Sequence, residues 1–404
     1  MLADVEGLAR SQQATAWKRP GWKRDTDMVS WLYPQIAGLG FAAIVIGLPA
    51  PATATDPNPY ASYDWSVFLP YINAPAGDAD ITLSPRLRIS LGGSSQEATL
   101  DTGSTGIVVS ASDIPGVETL PATPGQLAYS SSGRIMVGKW VTTAVTVEGG
   151  GGSRFTTKPI PVLAVDRIAC RPKARDCRPE EAPKGVAMLG IGFGREHDGQ
   201  EQSTPDKNPF LADTAGGERQ RHGYIVTRTG VRIGLTAGDV GPDFAFVKLT
   251  ANAKYAGDWT AAPVCITLDD ALPAACGVAL VDTGVTGMYI TLPAELAAGK
   301  ATANGKGEQT LADGTHLAFA FPGLKPEKPV ESAGYAFSVG GSGNPLAPDF
   351  LVLNTVRPQP FVNTSVHFLN GFDYLYDADA GMVGYRWTGR TKFGKAKPGM
   401  GTGD

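Results

Sequence analysis

At 404 residues the chain has room for more than one domain, and 42% hydrophobic against 18% charged residues excludes wholesale disorder. Its 51 glycines and 31 prolines carry no Gly-X-Y period, which excludes collagen and suits short strands joined by tight turns better than a helical protein. The net charge of −4, with no basic stripe, offers nothing for nucleic acid to bind.

In chain order, the first feature is an address. Residues 36–48 form an uncharged, mostly apolar run of 13, too short for a membrane span of about 20 residues and the right length for a signal-peptide core. Lys18, Arg19, Lys23 and Arg24 precede it, and Ala52-Thr53-Ala54 follows as a small-x-small cleavage site. Residues 1–54 are therefore expected to be a signal peptide, with Met28 an alternative start. A buried helix or an uncleaved anchor is the rival reading. Export would place the mature chain, from residue 55, in a periplasm or outside the cell, with no stable membrane span.

Strands are expected over 87–91, 140–147, 160–165 and 186–191, from β-branched and alternating apolar residues. Residues 195–222 are polar and read as a long surface loop. Further strands are expected over 224–226, 231–233 and 244–249, and a short helix over 294–299. His197, between Glu196 and Asp198, reads as part of the solvated loop rather than a metal site. From Thr388 the chain is basic and Gly-rich, a disordered tail whose Lys392, Lys395 and Lys397 are solvated. The four cysteines, 170, 177, 265 and 276, all lie beyond the leader. An even number in an exported chain points to disulfides, paired locally as Cys170–Cys177 and Cys265–Cys276. Metal binding is the alternative, but there is no C-x-x-C and the histidines are scattered.

The chain also repeats itself once. Residues 98–109 read ATLDTGSTGIVV and residues 279–290 read ALVDTGVTGMYI. Ala98, Asp101, Thr102, Gly103, Thr105 and Gly106 recur as Ala279, Asp282, Thr283, Gly284, Thr286 and Gly287. Two copies a domain length apart imply two related lobes, not a solenoid. A lone Asp-Thr-Gly more often marks a turn. Two, each after an apolar strand, would bring two carboxylates into one cleft. Carboxylates in contact cannot both ionise, so one serves as general base on a water while the other donates a proton. No zinc-protease, serine-hydrolase or P-loop motif competes.

With these residues the chain resembles the pepsin-like, bilobal aspartic peptidases. The spacing of Asp101-Thr102-Gly103-Ser104 and Asp282-Thr283-Gly284 matches that family. So do Met188-Leu189-Gly190, the apolar-apolar-Gly element that braces the first active-site loop, and Tyr374-Leu375-Tyr376-Asp377 before Met382-Val383-Gly384. The family often has a disulfide before the second aspartate, where Cys265 and Cys276 stand. The resemblance implies an all-β, two-lobed fold with a cleft between β-barrel-like lobes, 55–235 carrying Asp101 and 236–387 carrying Asp282. It implies endopeptidase activity on polypeptides, as a monomer and without a cofactor. Asp101 and Asp282 would be catalytic. Gly103 and Gly284 would let backbone N–H groups approach the carboxylates, Thr102 and Thr283 would bond across the two loops, and Ser104 would donate to Asp101. Residues 125–145 would form the flap, with Tyr129 as its aromatic.

Three departures stand out. Val285 replaces the usual Ser or Thr, which should raise the pKa of Asp282 or of the pair and make the optimum less acidic. Val108 replaces the Trp that supports the flap tyrosine. Phe361-Val362-Asn363 reads as the second bracing element, with Asn in place of Gly. Only about 46 residues lie between the cleavage site and Asp101, so no pro-segment is expected, as in some bacterial members. The alternatives are a fold relative that binds peptide, protein or carbohydrate without cleaving it, and a two-domain β protein with purely structural Asp-Thr-Gly turns.

Overall fold

The computed structural model describes residues 58–195, 198–322 and 333–390, so the leader, Glu196, His197 and the chain beyond Arg390 lie outside the described residues. The regular structure of the described residues is almost entirely strand, with one four-residue α-helix, Ala294–Ala297, and scattered 3-10 turns. Three large sheets carry it.

The first lobe is a ten-stranded sheet. Its path runs from Ala122–Tyr129 through Arg134–Thr143, Ile160–Cys170, Thr105–Ser110, Ala187–Ile191 and Ser94–Asp101 to Arg86–Leu91, Thr146–Glu148 and Arg154–Thr156. The second lobe is a seven-stranded sheet, in which Ala275–Leu280, Phe361–Asn363 and Met288–Thr291 lie side by side. A six-stranded sheet joins the lobes in the order Val67–Pro70, Gly230–Ile233, Gly223–Val226, Phe372–Asp377, Met382–Trp387 and Phe244–Lys248. The ranges 55–235 and 236–387 each contribute three strands to it.

The strands follow from alternation where one face is buried and from continuous apolar runs where both are. Arg86–Leu91 alternates, with Leu87, Ile89 and Leu91 inside. Thr105–Ser110 is buried along its whole length, between Ile160–Cys170 and Ala187–Ile191. Most of the core is one connected cluster spanning both lobes and the joining sheet. A smaller cluster of Val108, Leu127, Met136, Trp140, Leu163, Val165 and Ile168 packs on the hairpin of Ala122–Tyr129 and Arg134–Thr143.

Several local expectations shift. The strand expected over 140–147 is two, because the chain breaks at Ala144 and Val145 and its continuation, Thr146–Glu148, pairs with Arg86–Leu91 instead. The polar stretch 198–222 is largely irregular, but it is not only surface. Asn208, Phe210, Thr214 and Gln220 are buried. The Asn208 amide donates to the carbonyls of Ile191 (2.7 Å) and Gly192 (3.3 Å), so its polarity serves strand ends rather than solvent. At the other end, Thr388 and Arg390 of the expected tail are held, the first by the Gly371 carbonyl and the second by Asp78.

Candidate active site

Each Asp-Thr-Gly turn stands where a strand ends. Ser94–Asp101 closes on Asp101, and the chain reverses through residues 102–104 into Thr105–Ser110. Ala275–Leu280 leads in the same way through Asp282 to Met288–Thr291. The turns meet and interlock. The Thr102 N–H donates to Thr283 Oγ1 (3.1 Å), and the Thr283 N–H donates to Thr102 Oγ1 (3.0 Å). Each hydroxyl then donates to a carbonyl of the other lobe, Thr102 to Val281 (2.6 Å) and Thr283 to Leu100 (2.7 Å). Four bonds related by a local two-fold fix one turn against the other, in a site where every partner is buried.

The carboxylates face each other across this lock. Asp101 and Asp282 are 4% and 6% exposed. The Gly103 N–H donates to Asp101 Oδ1 (2.7 Å) and the Gly284 N–H to Asp282 Oδ1 (2.8 Å). Each glycine also makes room for the opposite carboxylate. A Cβ on Gly284 would stand 2.5 Å from Asp101 Oδ1, and one on Gly103 would fall on the Asp282 carboxyl group. The glycines are therefore required by close approach. Ser104 donates its hydroxyl to Asp101 Oδ2 (2.5 Å). Burial and, next, the negative charge of Asp101 push the Asp282 pKa well above the usual carboxylate range.

Val285 occupies the position of Ser104 in the second turn and has no hydroxyl. The outer oxygen of Asp282 is nevertheless not left without a donor, because Asn363 Nδ2 donates to Asp282 Oδ2 at 2.5 Å. The strand register corrects the reading of that element. Met188 pairs with Thr99, two residues before Asp101, and with Val108, seven after it. Asn363 pairs with Leu280, two before Asp282, and with Tyr289, seven after it. Asn363 therefore answers Met188, and Ser365, with φ +66°, stands at the place of Gly190. The bracing element is Asn363-Thr364-Ser365, not Phe361-Val362-Asn363. The apolar pattern misled because the second brace is polar.

A cleft of about 810 Å³ contains both aspartates, with Tyr129, Met188, Tyr289 and Asn363 on its walls. A second space of about 470 Å³ adjoins it and shares Ser130, Ser131, Tyr289 and Asn363. The hairpin of Ala122–Tyr129 and Arg134–Thr143 forms the roof. Tyr129 stands at its tip, packed on the cluster that contains Val108. The Tyr129 hydroxyl is buried near Ser104 and Asp101 and lacks a hydrogen-bond partner of normal geometry. Burial, then the Asp101 charge, raises its pKa well above that of an ordinary tyrosine. Trp140, on the returning strand of the hairpin, donates its indole N–H to Gln202 (2.7 Å).

Both disulfides form as expected. Cys265 and Cys276 are direct partners across two strands of the second lobe. Cys170–Cys177 closes a loop on the first lobe. That loop is bonded to the hairpin turn through Arg171 N–H to the Gly133 carbonyl (2.8 Å) and Asp176 N–H to the Ser132 carbonyl (3.0 Å). It also projects Arg175 over the cleft. Arg175 Nη1 donates to the Tyr289 hydroxyl (3.0 Å), and Nη2 pairs with Glu308 at 2.6 Å. Its guanidinium lies 4.9 Å from the Tyr289 ring centre and 5.4 Å from that of Phe350. On the first lobe Ser130 donates to Asp198 (2.7 Å), which is paired with buried Arg195 (2.6 Å). Arg195 also sends a positive field to Asp282. Neither Arg175 nor Arg195 belongs to a repeat or motif, and in the sequence Asn363 stands out only in place of a glycine in the second bracing element, not as a donor to Asp282.

A solved structure, the aspartic proteinase from Irpex lacteus, is similar to this chain with a TM-score of 0.50 and 16% sequence identity, over 81% of this chain and 99% of that one. No protein-family model and no curated protein matches the sequence. The chain has the pepsin-like fold. At that identity the likeness carries the architecture, two β lobes with a cleft between them, and leaves the chemistry to the residues in the cleft.

Among the described residues no helix is long and apolar enough to cross a membrane. Of the three residues 196–198, only Asp198 is described, and it is engaged by Arg195 and Ser130.

Proposed function

We propose that the chain is an exported aspartic endopeptidase, which hydrolyses peptide bonds with a water activated between Asp101 and Asp282. One observation carries the reading. Two buried carboxylates, each with a backbone N–H on one oxygen and a side-chain donor on the other, occupy one cleft on two interlocked turns. A structural turn has no need of a second buried acid beside the first, since unpaired burial of a carboxylate is costly.

The pair retains one proton because two adjacent charges in a buried site repel each other. The ionised member takes a proton from the water. The protonated member donates to the carbonyl oxygen of the scissile bond, giving a tetrahedral intermediate, and the amine leaves with a proton returned from the pair. The roof hairpin would exclude solvent, with Tyr129 near enough to feel the charge of Asp101. An extended polypeptide fits the long cleft. The disulfides suit an oxidising compartment. A monomer is the working unit of this reading, since both acids come from one chain.

The test is a cleavage map of the full chain and its Asp101→Asn and Asp282→Asn variants on a mixed peptide library from pH 3 to 7, read by mass spectrometry. Products from the wild type should fall by about 10²–10⁴-fold or more in either variant. Absence of products from the folded wild type at every pH would replace this reading with that of a binding protein.

A further inference from the structure

We propose that Asn363 is a positioning residue that does for Asp282 what Ser104 does for Asp101, and that its amide keeps the outer oxygen of Asp282 free of a proton. This rests on the aspartic-peptidase reading for its consequence in catalysis, but the arrangement itself can be tested without turnover.

The two turns are copies except at one place. Ser104 follows Asp101 by three residues and donates to its Oδ2. Val285 follows Asp282 by three residues and has nothing to donate. Asn363 reaches the same oxygen from a different strand, at the same 2.5 Å. Its orientation is set from behind, because the Ser365 N–H donates to Asn363 Oδ1 (3.1 Å). The oxygen of the amide is thereby committed to Ser365, so the NH₂ group must face Asp282. Asn363 is 5% exposed, so water does not compete for the bond.

The substitute is not equivalent to a hydroxyl. A serine hydroxyl can donate or accept, so Asp101 Oδ2 can carry a proton and give it to Ser104. An amide NH₂ only donates. A proton on Asp282 Oδ2 would face a second donor with no acceptor. The proton held by the pair is therefore confined to the inner oxygen of Asp282 or to Asp101. The second turn is locked into one hydrogen-bonding sense, whereas the first can run in either.

Three variants of the full chain test this: Asn363→Leu, which keeps the shape and removes the donor, Val285→Thr, and the two combined. The direct readout is the titration of aspartate side-chain carboxyl carbons by ¹³C NMR, with Asp282 assigned by loss of its signal in Asp282→Asn. Asn363→Leu should raise the upper titration of the pair, that of Asp282, by about one pH unit, since a donor to its charged form is lost. The combined variant, whose threonine repeats the spacing of Ser104, should return most of the way. Val285→Thr alone should move little, because the oxygen already has its donor. The alkaline limb of the activity profile should move in the same order, with kcat affected more than KM. An unmoved titration in Asn363→Leu, or no return in the combined variant, overturns the proposal. If Asn363→Leu does not fold, the combined variant decides alone: wild-type titration supports it and failure to fold overturns it. A wild type that cleaves nothing but shows these titrations would sink the peptidase reading and leave this one standing.

Discussion

At the scale of single residues, the pair of acids has consequences for stability as well as for chemistry. The folded state holds a proton on Asp282 that the unfolded chain would release at an ordinary carboxylate pKa, because burial and Asp101 raise it. A folded state that binds more protons loses stability as pH rises from the unfolded pKa toward the folded one. The dyad is thus most comfortable at acid pH and costs stability near neutrality. Replacing one acid should remove that cost. Asp101→Asn is the suitable variant, since Ser104 can turn and accept from the new amide. Its unfolding free energy should exceed that of the wild type at pH 7 by about 1–3 kcal/mol, and the difference should shrink at pH 4. Equal differences at both pH values would show that the acids do not repel. Tyr129→Phe separates the two roles proposed for this aromatic. Its hydroxyl is buried and unpartnered, so removal should leave melting unchanged or raise it. The kcat/KM should nonetheless fall about tenfold if the hydroxyl takes a partner only when substrate is bound.

At the scale of elements, the roof of the cleft is unlike a free hairpin. A disulfide-closed loop is hydrogen-bonded to its turn, and Arg175 carries that assembly to the opposite lobe. Arg175 and Glu308 are each about three-quarters buried in their side chains, and two aromatic faces flank the guanidinium. Such a strap should slow opening. Arg175→Ala should raise amide hydrogen exchange in residues 129–134 without changing exchange in the joining sheet, and should raise kcat/KM for long polypeptides more than for short peptides. Exchange confined to its wild-type rate would mean that the hairpin is held by its own contacts with Asp198 and the core beneath it. The same strap explains a limit of sequence reading. A hairpin in the region 125–145, with Tyr129 at its turn, was legible from a resemblance in order and spacing. The strap was not, since Arg175 gains its partners from residues over a hundred positions away and no local pattern announces them.

At the scale of the whole molecule, the repeat made the two-lobed architecture legible, because an Asp-Thr-Gly turn has to end a strand and two of them imply two similar sheets. Cysteine pairing was legible for a simpler reason, the short separations. The break at Ala144 was not, since β-branched residues continue through it and only the pairing of the next strand ends the first. The polarity of residues 198–222 hid a buried part for the same reason that Asn363 went unrecognised: a polar side chain that meets buried backbone or a carboxylate looks in sequence like one that meets water. The joining sheet was also invisible, although Asp377 in it accepts the side-chain hydrogen bond of widest sequence separation among the described residues. Tyr60 donates to Asp377 Oδ2 (3.0 Å), and Arg221 reaches the same oxygen through Nε (3.0 Å) and Nη2 (2.8 Å). Asp377 is fully buried. Asp377→Ala would leave a largely buried guanidinium without its acid, and should cost about 3–5 kcal/mol in denaturant unfolding. A loss below about 1 kcal/mol would show that Arg221 finds water there.

The joining sheet also sets an order of events. Its middle strands, Gly223–Val226 and Phe372–Asp377, come from opposite halves of the chain, and Met382–Trp387 lies beside the latter. During synthesis the last of these leave the ribosome only after both Asp-Thr-Gly turns have been made. Until then the platform beneath the lobes is unfinished, and the interlock between Thr102 and Thr283 has nothing to hold it in register. The paired acids therefore come into being only after residues 372–387 have been made, and a chain stopped short of them carries its Asp-Thr-Gly turns without that platform.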